Sequence, residues 1–378
     1  MLTRTASPQR NLQLGQLAGL LKDQSARALD VIAGSGAIRA DGGSLILDGT
    51  EPVLLPDGVT MTTGPYAVND VADGQLADKL GIPLPYLRRM HADAVDLYDA
   101  NVNGWLARTD RRFLIRVLRG GNGSGVVRAV LSDKYSRIDH LDVLMAALDG
   151  IRDSGVPVVI DGTDLSERRM SVRVYSPDVP AMTPQLLAGY RSPFDGRPGT
   201  DLPAVWGGFL ISNSETGFGA FTIAARLHVQ VCSNGLLMNA SALRRTHLGS
   251  RHNGDDGVVT WSEATTAKTL ELITSRTRDA VAAYLDGGYV TRMIRDLETV
   301  SGTPVTDPDT TISIIARKLR FTDDHQRAIL AHFAAGGAMS AGGILHAVTS
   351  VAQTLDDADA AHDMEAAAIP AMHLAASL

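Results

Sequence analysis

The sequence predicts an α+β fold: a central antiparallel β-sheet of hairpins backed by helices, with a helical C-terminal lobe. Three observations predict it. Short β-branched or alternating runs separated by turn residues fill the middle third. Apolar residues at three- and four-residue spacing fill the last third. The length, 378 residues, exceeds what one core usually serves, and the charge divides the chain into three parts. Residues 1–104 carry 8 basic and 12 acidic side chains, 105–251 carry 18 and 13, and 252–378 carry 9 and 17. The expected units are a mixed α/β N-terminal lobe (1–104), an antiparallel sheet core with a basic face (105–251) and an acidic helical C-terminal lobe (252–378). A net charge of −7 thus conceals a basic middle, and the local field decides which anions a surface attracts.

The elements follow in order. A helix near residues 11–30 precedes extended segments broken by Gly and Asp turns. Helical spacing then returns at Leu76, Leu80, Leu84 and Leu87–Met90. Runs at 112–119 and 126–135 flank the glycines of 120–125, which signals a hairpin. Runs at 156–161 and 168–175 form a second pair. Those at 205–212 and 219–232, joined at Asn213-Ser214-Glu215-Thr216-Gly217, form a third. Residues 176–203 hold six of the sixteen prolines and read as a long ordered loop or a lid. Helical patterns cover 263–286, 289–300 and 310–319, and Phe321-Thr322-Asp323-Asp324 reads as a capped helix start. The uncharged run 328–348 is rich in Ala and Gly, which predicts two buried helices joined by a Gly turn, not a membrane span.

Several chemistries are excluded by pattern. One cysteine forbids a disulfide framework and a multi-cysteine zinc site. No phosphate-cradling Gly-x₄-Gly-Lys loop occurs, and the glycines at 120–125 precede a strand where a dinucleotide fingerprint needs a helix. No Gly-x-Ser-x-Gly elbow is present. Cys232 has its nearest histidine, His228, two pleats away, and His228, His247 and His252 match no tetrahedral metal spacing. The acidic pairs at 255–256, 323–324 and 356–357 read as caps or solvated turns. Residues 76–87 imitate a helix-turn-helix, but Pro83 and Pro85 crowd the would-be reading helix, which offers only Arg88 and Arg89. No catalytic residue, cofactor or metal is expected.

The informative signal is strand alternation. Arg112 and Arg116, Arg128 and Lys134, Arg169 and Arg173, and Arg226 each fall on the polar side of a strand whose other side is apolar. The apolar sets must face a core. The polar sets then face water or a ligand, and they show no carboxylate. An unpaired cationic surface of this kind invites an anion, although arginine is also a default polar residue of strands. The 176–203 loop adds Tyr190, Arg191, Phe194 and Arg197, a mixture suited to stacking bases and holding phosphates. Arg244 and Arg245 extend the basic count.

Three stretches, Arg128-Ala-Val-Leu-Ser-Asp-Lys-Tyr135-Ser-Arg137, Ile211-Ser-Asn-Ser-Glu-Thr-Gly217 and Val231-Cys-Ser-Asn-Gly235, resemble the phage/plasmid-like family of uncharacterised proteins. The segments Ile329-Leu-x-x-Phe333, Gly343-Ile-Leu-His-Ala-Val-Thr349 and Leu80-Gly-Ile-Pro83 fit as well, so the resemblance covers most of 65–370. It implies residence on mobile elements and an intracellular setting, and no site residues. The architecture is also similar to ring-forming single-strand annealing proteins of phages. The expected function is therefore non-catalytic binding or annealing of single-stranded nucleic acid by a cytoplasmic homo-oligomer without membrane contact. The alternatives are a host-modulating factor with a host or phage protein as partner, and a helix-turn-helix regulator.

Overall fold

The computed structural model describes residues 9–55, 58–120, 123–135, 137–181, 189–191, 196, 198, 205–229, 234–245 and 263–378; of 55, 181, 229, 234–245, 263 and 266 it describes the backbone only. Among the described residues two six-stranded sheets carry the fold. Sheet I runs, in spatial order, β1 (Gln9–Leu12), β10 (Val159–Leu165), β11 (Met170–Ala181), β12 (Val205–Asn213), β13 (Phe221–Val229) and β14 (Asn234–Arg245), all antiparallel. Sheet II runs β2 (Ala28–Gly34), β8 (Arg112–Arg119), β9 (Gly125–Ser132), β7 (Tyr66–Val68), β4 (Ser44–Leu47) and β3 (Ile38–Asp41). Its β7–β9 pair is parallel. A small hairpin, β5 (Val53–Leu55) and β6 (Gly58–Thr60), stands apart. The fold class is α+β.

Each sheet has its own core. In sheet II, Phe113, Ile115, Val117, Val127 and Val130 pack under α2 (Asp70–Leu80), α3 (Leu84–Asp93) and α4 (Val95–Leu106). In sheet I, Val172, Val174, Phe209, Ile211, Ile223 and Leu227 face a larger core. That core is built with α1 (Leu14–Arg27), α5 (His140–Ser154), α6 (Glu263–Tyr284), α7 (Gly287–Ser301) and α8 (Pro308–Leu319). It continues through α9 (Asp323–Gly336), α10 (Ala341–Thr354) and α11 (Ala358–Ala376). The uncharged run 328–348 does become two helices. Gly337, in the left-handed region, ends α9, and α10 is buried almost throughout. Thr322 caps α9 by accepting the His325 amide, as its position predicts. No helix among the described residues is long and apolar enough to cross a membrane.

Two expectations need correction. The hairpins do not share one central sheet: the 112–132 hairpin belongs to sheet II, and the other two belong to sheet I. Nor does pairing respect the 104/105 boundary, since β2 pairs with β8 along its whole length and β1 pairs with β10. Alternation reports which side of a strand is apolar but not which strand lies beside it, so pairing across long sequence gaps was hidden.

The helix-turn-helix imitation is a packed pair. Gly81 adopts the left-handed conformation that ends α2, and Arg88 of the next helix is held by Asp70 at 2.6 Å. Beneath it, the fully buried Asp73 accepts from Tyr98 Oη at 2.8 Å and pairs with His91 Nδ1 at 2.6 Å. The His91 and Tyr98 rings stack. The hydrogen bond to Asp73 raises the His91 pKa against burial, helped by the Gly43 backbone. A histidine raised in the folded state stabilises fully below its ordinary value and loses that contribution as pH climbs through the raised one. His91→Gln should therefore lower the melting temperature more at about pH 6 than at about pH 9, as differential scanning calorimetry at both values would show.

Candidate functional site

The turn joining β12 to β13, Asn213–Gly217, leaves sheet I and plugs into sheet II. Glu215 is its tip. Its carboxylate takes Arg128 Nη2 on Oε1 and the His140 amide on Oε2 at 3.0 Å, while its carbonyl takes Arg116 Nη1 at 2.8 Å. The flanking residues are tied as firmly. Thr216 O accepts from Gln75 Nε2 at 2.6 Å, Ser214 O from Tyr135 Oη at 3.1 Å, and Ile138 O from Asn213 Nδ2 at 3.2 Å. Gly217 sits at φ +87, a backbone conformation that L side chains rarely adopt, and its missing Cβ leaves room for Leu131 of sheet II.

Arg116 is 1% exposed and is neutralised from three sides. Its Nε and Nη2 grip Asp30 at 2.9 and 3.1 Å, and Nη2 also reaches Asp139. Burial opposes its charge, but Asp30, Asp139 and Glu215 hold its pKa well above the ordinary arginine value. For Glu215 burial alone would push the carboxyl up; Arg128, Arg116 and the His140 backbone N–H outweigh it and hold it far below the usual carboxylate range. Burial pushes His140 down, and its Nδ1 accepts from Asn213 Nδ2 at 3.0 Å. Beside these groups a cavity of about 20 Å³, lined by Gln24, Ser25, Asp139 and Glu215 among others, is large enough for one water.

Arg116 and Arg128 do not stand opposite each other in the 112–132 hairpin. Arg128 is a bulge: Arg116 stands opposite Ala129 and Val117 opposite Val127, so the extra residue is free to turn toward Glu215.

On sheet I a second set of charges occupies the polar face. Arg173 grips Asp164 with both Nη atoms and gives Nη2 to Asn11 Oδ1 at 2.6 Å. Arg169 meets Asp363 of α11 at 3.3 Å. Arg226, 1% exposed, is held more loosely: its Nε and Nη1 find no hydrogen-bond partner among the described residues, and its paired carboxylate oxygen, Asp161 Oδ2, lies 3.7 Å from Nη1. Burial pushes its pKa down, and burial pushes the carboxyl of Glu365, on α11, up. Asp161 is itself a bulge residue, inserted between Ile160 and Gly162. Its Oδ2 lies 3.3 Å from His228 Nδ1. The His228 ring stacks on Tyr175 at 4.3 Å, and Trp206, directly across from His228, tilts against both. Gly208, where a Cβ would meet Val174 O at 2.3 Å, separates Tyr175 from Arg226 across the strands.

The sequence-predicted residues thus disperse. Arg116, Arg128, Arg173 and Arg226 are buried, the first three neutralised by carboxylates; they form no open cationic face. The missing carboxylates arrive from β2, β10, the 213–217 turn and the start of α5, outside the spans whose alternation was read. Arg112 and Lys134 are exposed at one end of sheet II. Tyr190 is no stacking platform: it is 3% exposed and stacks on His346 at 4.2 Å inside the main core. Arg191 is exposed and donates to Gly196 O at 2.7 Å. Phe194 and Arg197 lie outside the described residues, as do Cys232, His247 and His252, and of Arg244 and Arg245 only the strand backbone is described. Sequence reasoning missed Glu215, Asp161, Tyr175 and Trp206. The sequence signal for Glu215 is its place in the 211–217 stretch, which meets the 128–137 stretch in space.

No group of three or more His, Cys, Asp or Glu placed to hold a metal occurs among the described residues. No known protein family, curated protein or solved structure matches the chain.

Removing Glu215 leaves two buried guanidinium groups under-compensated. Glu215→Gln should cost about 3–5 kcal/mol, read as a lowered urea midpoint. A carboxyl held low in the folded state stabilises above its ordinary value and loses that contribution as pH falls toward the lowered one. The variant should therefore flatten the acid limb of the stability profile. Replacing Arg116 and Arg128 together with Gln should unfold or aggregate the chain.

Proposed function

We propose that the chain is a non-catalytic binder of single-stranded nucleic acid, and that it takes bases on the open part of the sheet I polar face and does not rely on the sheet arginines. One observation carries this reading: a half-buried ring pair, Tyr175 and Trp206, packs around His228 beside a partly exposed carboxylate, Asp161, and a buried guanidinium whose Nε and Nη1 find no hydrogen-bond partner among the described residues. Aromatic faces of this kind stack bases without regard to sequence. A buried guanidinium met only by a carboxylate 3.7 Å away is costly, and an added acceptor would relieve that cost. Because the sheet arginines Arg116, Arg128 and Arg173 are already paired with carboxylates, few cations remain for phosphates, and affinity falls only gently with salt.

A specific feature favours the interaction-factor reading as a second. Strand β2 is an edge of sheet II, and an open cleft of about 560 Å³ runs between it and residues 49–54. Ile32, Leu54, Val59 and Met61 are exposed around it. An unprotected edge with apolar flanks is a template for strand addition.

Titration with labelled oligonucleotides separates the two. Single-stranded binding should quench tryptophan emission, and Tyr175→Ala with Trp206→Ala should weaken it by about 1–3 kcal/mol per stack at unchanged melting temperature. Leu54→Glu with Val59→Glu should leave it untouched. If oligonucleotides do not bind even at low salt, the cleft reading takes its place.

A further inference from the structure

The residues around Asp161 differ in kind from a general stacking platform. A platform that only stacks bases needs no carboxylate, and a carboxylate repels the phosphates of a strand. Yet the fold goes to some length to put one here. In β10 the register slips between Ile160 and Gly162, so Asp161 is an inserted residue, and bulges re-aim a side chain at the expense of a ladder position. Gly162 beside it lies where a Cβ would meet Arg173 Nη2 at 2.6 Å, so the Arg173 guanidinium fills the space next to the bulge. Asp161 Oδ2 faces His228 Nδ1 at 3.3 Å and Arg226 Nη1 at 3.7 Å. These two groups back the carboxylate from the protein side. Both lie at the sheet, and the Asp161 side chain remains 23% accessible. Oδ1 has no partner among the described residues.

The result is an acceptor-only group, fixed at the rim of a pair of rings. A carboxylate can accept two N–H donors side by side. Among the bases only guanine offers two adjacent donors on its Watson–Crick edge, the ring N1–H and the exocyclic amine. Adenine and cytosine offer one amine next to a ring acceptor, which a carboxylate repels. Thymine and uracil offer a single N–H between two carbonyls. The donor and acceptor pattern therefore discriminates.

We propose that Asp161 makes this site selective for guanine, the base stacking on Tyr175 and Trp206 while the carboxylate accepts from N1–H and the exocyclic amine. Arg226 and His228 are positioning residues, holding Asp161 in place and ionised. The proposal rests on the single-strand reading above and names which base that face prefers.

The test uses the full chain and thymidine oligonucleotides carrying one central guanine, inosine, adenine or cytosine, with anisotropy as readout. Guanine should bind about tenfold or more tighter than thymine alone. Inosine, which keeps N1–H and lacks the exocyclic amine, should lose most of that gain. This ligand-side comparison needs no variant to fold. Asp161→Asn, checked by circular dichroism, should bring the four oligonucleotides within about threefold of one another while the thymidine strand still binds. Equal affinity for guanine and inosine, or a preference that survives Asp161→Asn, overturns the proposal and leaves the single-strand reading standing. Failure of every oligonucleotide to bind overturns both.

Discussion

The structure hinges on one buried carboxylate. Glu215 stands at the tip of a sheet I turn and is the point at which sheet I is fastened to sheet II, through Arg128, Arg116 and the first amide of α5. Isolated buried charges are costly, and this one is tolerable because it is met by two cations and a helix N-terminal N–H at once. The requirement runs outward. Arg116 must also satisfy Asp30 from β2 and Asp139 at the start of α5, so five elements distant in sequence are registered by a single network. A network that is fully satisfied fixes one arrangement of its parts more sharply than apolar packing does.

That constraint explains why the arginines misled as surface markers. Arginine suits buried pairing because its planar fork can serve several oxygens in fixed geometry. Arg116 uses it on three groups and Arg173 on two. Strand alternation correctly placed these residues opposite apolar neighbours. It could not show that another chain segment would cover that side, because the covering residues lie tens of positions away. The two bulges compound this. At Arg128 and Asp161 the inserted residue changes which side follows; Gly162 marks the second bulge, while the run Val126–Val130 carries no glycine to mark the first.

What was legible follows the same logic. The hairpins at 112–132, 159–181 and 205–229, the Thr322 cap and the Gly337 break between two buried helices are all set by residues within a few positions of one another. Turn chemistry and periodicity act at that range. Sheet membership, the Asp73–His91–Tyr98 cluster and the Glu215 socket depend on contacts between distant segments, and these were out of reach. The quoted stretches 128–137 and 211–217 held a hint of the socket, since charged and small residues concentrated in a turn need a reason to be there.

The two charged regions also differ in a way that separates scaffold from site. Around Glu215 nearly every donor finds an acceptor, and the space left over is about one water in size. Around Arg226 two donors find none among the described residues, the paired carboxylate stands off at 3.7 Å, and half-buried rings border a partly exposed acid. A protein that can satisfy one buried arginine from three sides has no chemical difficulty in satisfying another. Unsatisfied groups that persist beside a complete network are where binding demands, not folding demands, set the residues. On that physical ground the proposed binding surface lies on the polar face of sheet I and not at the better-connected joint.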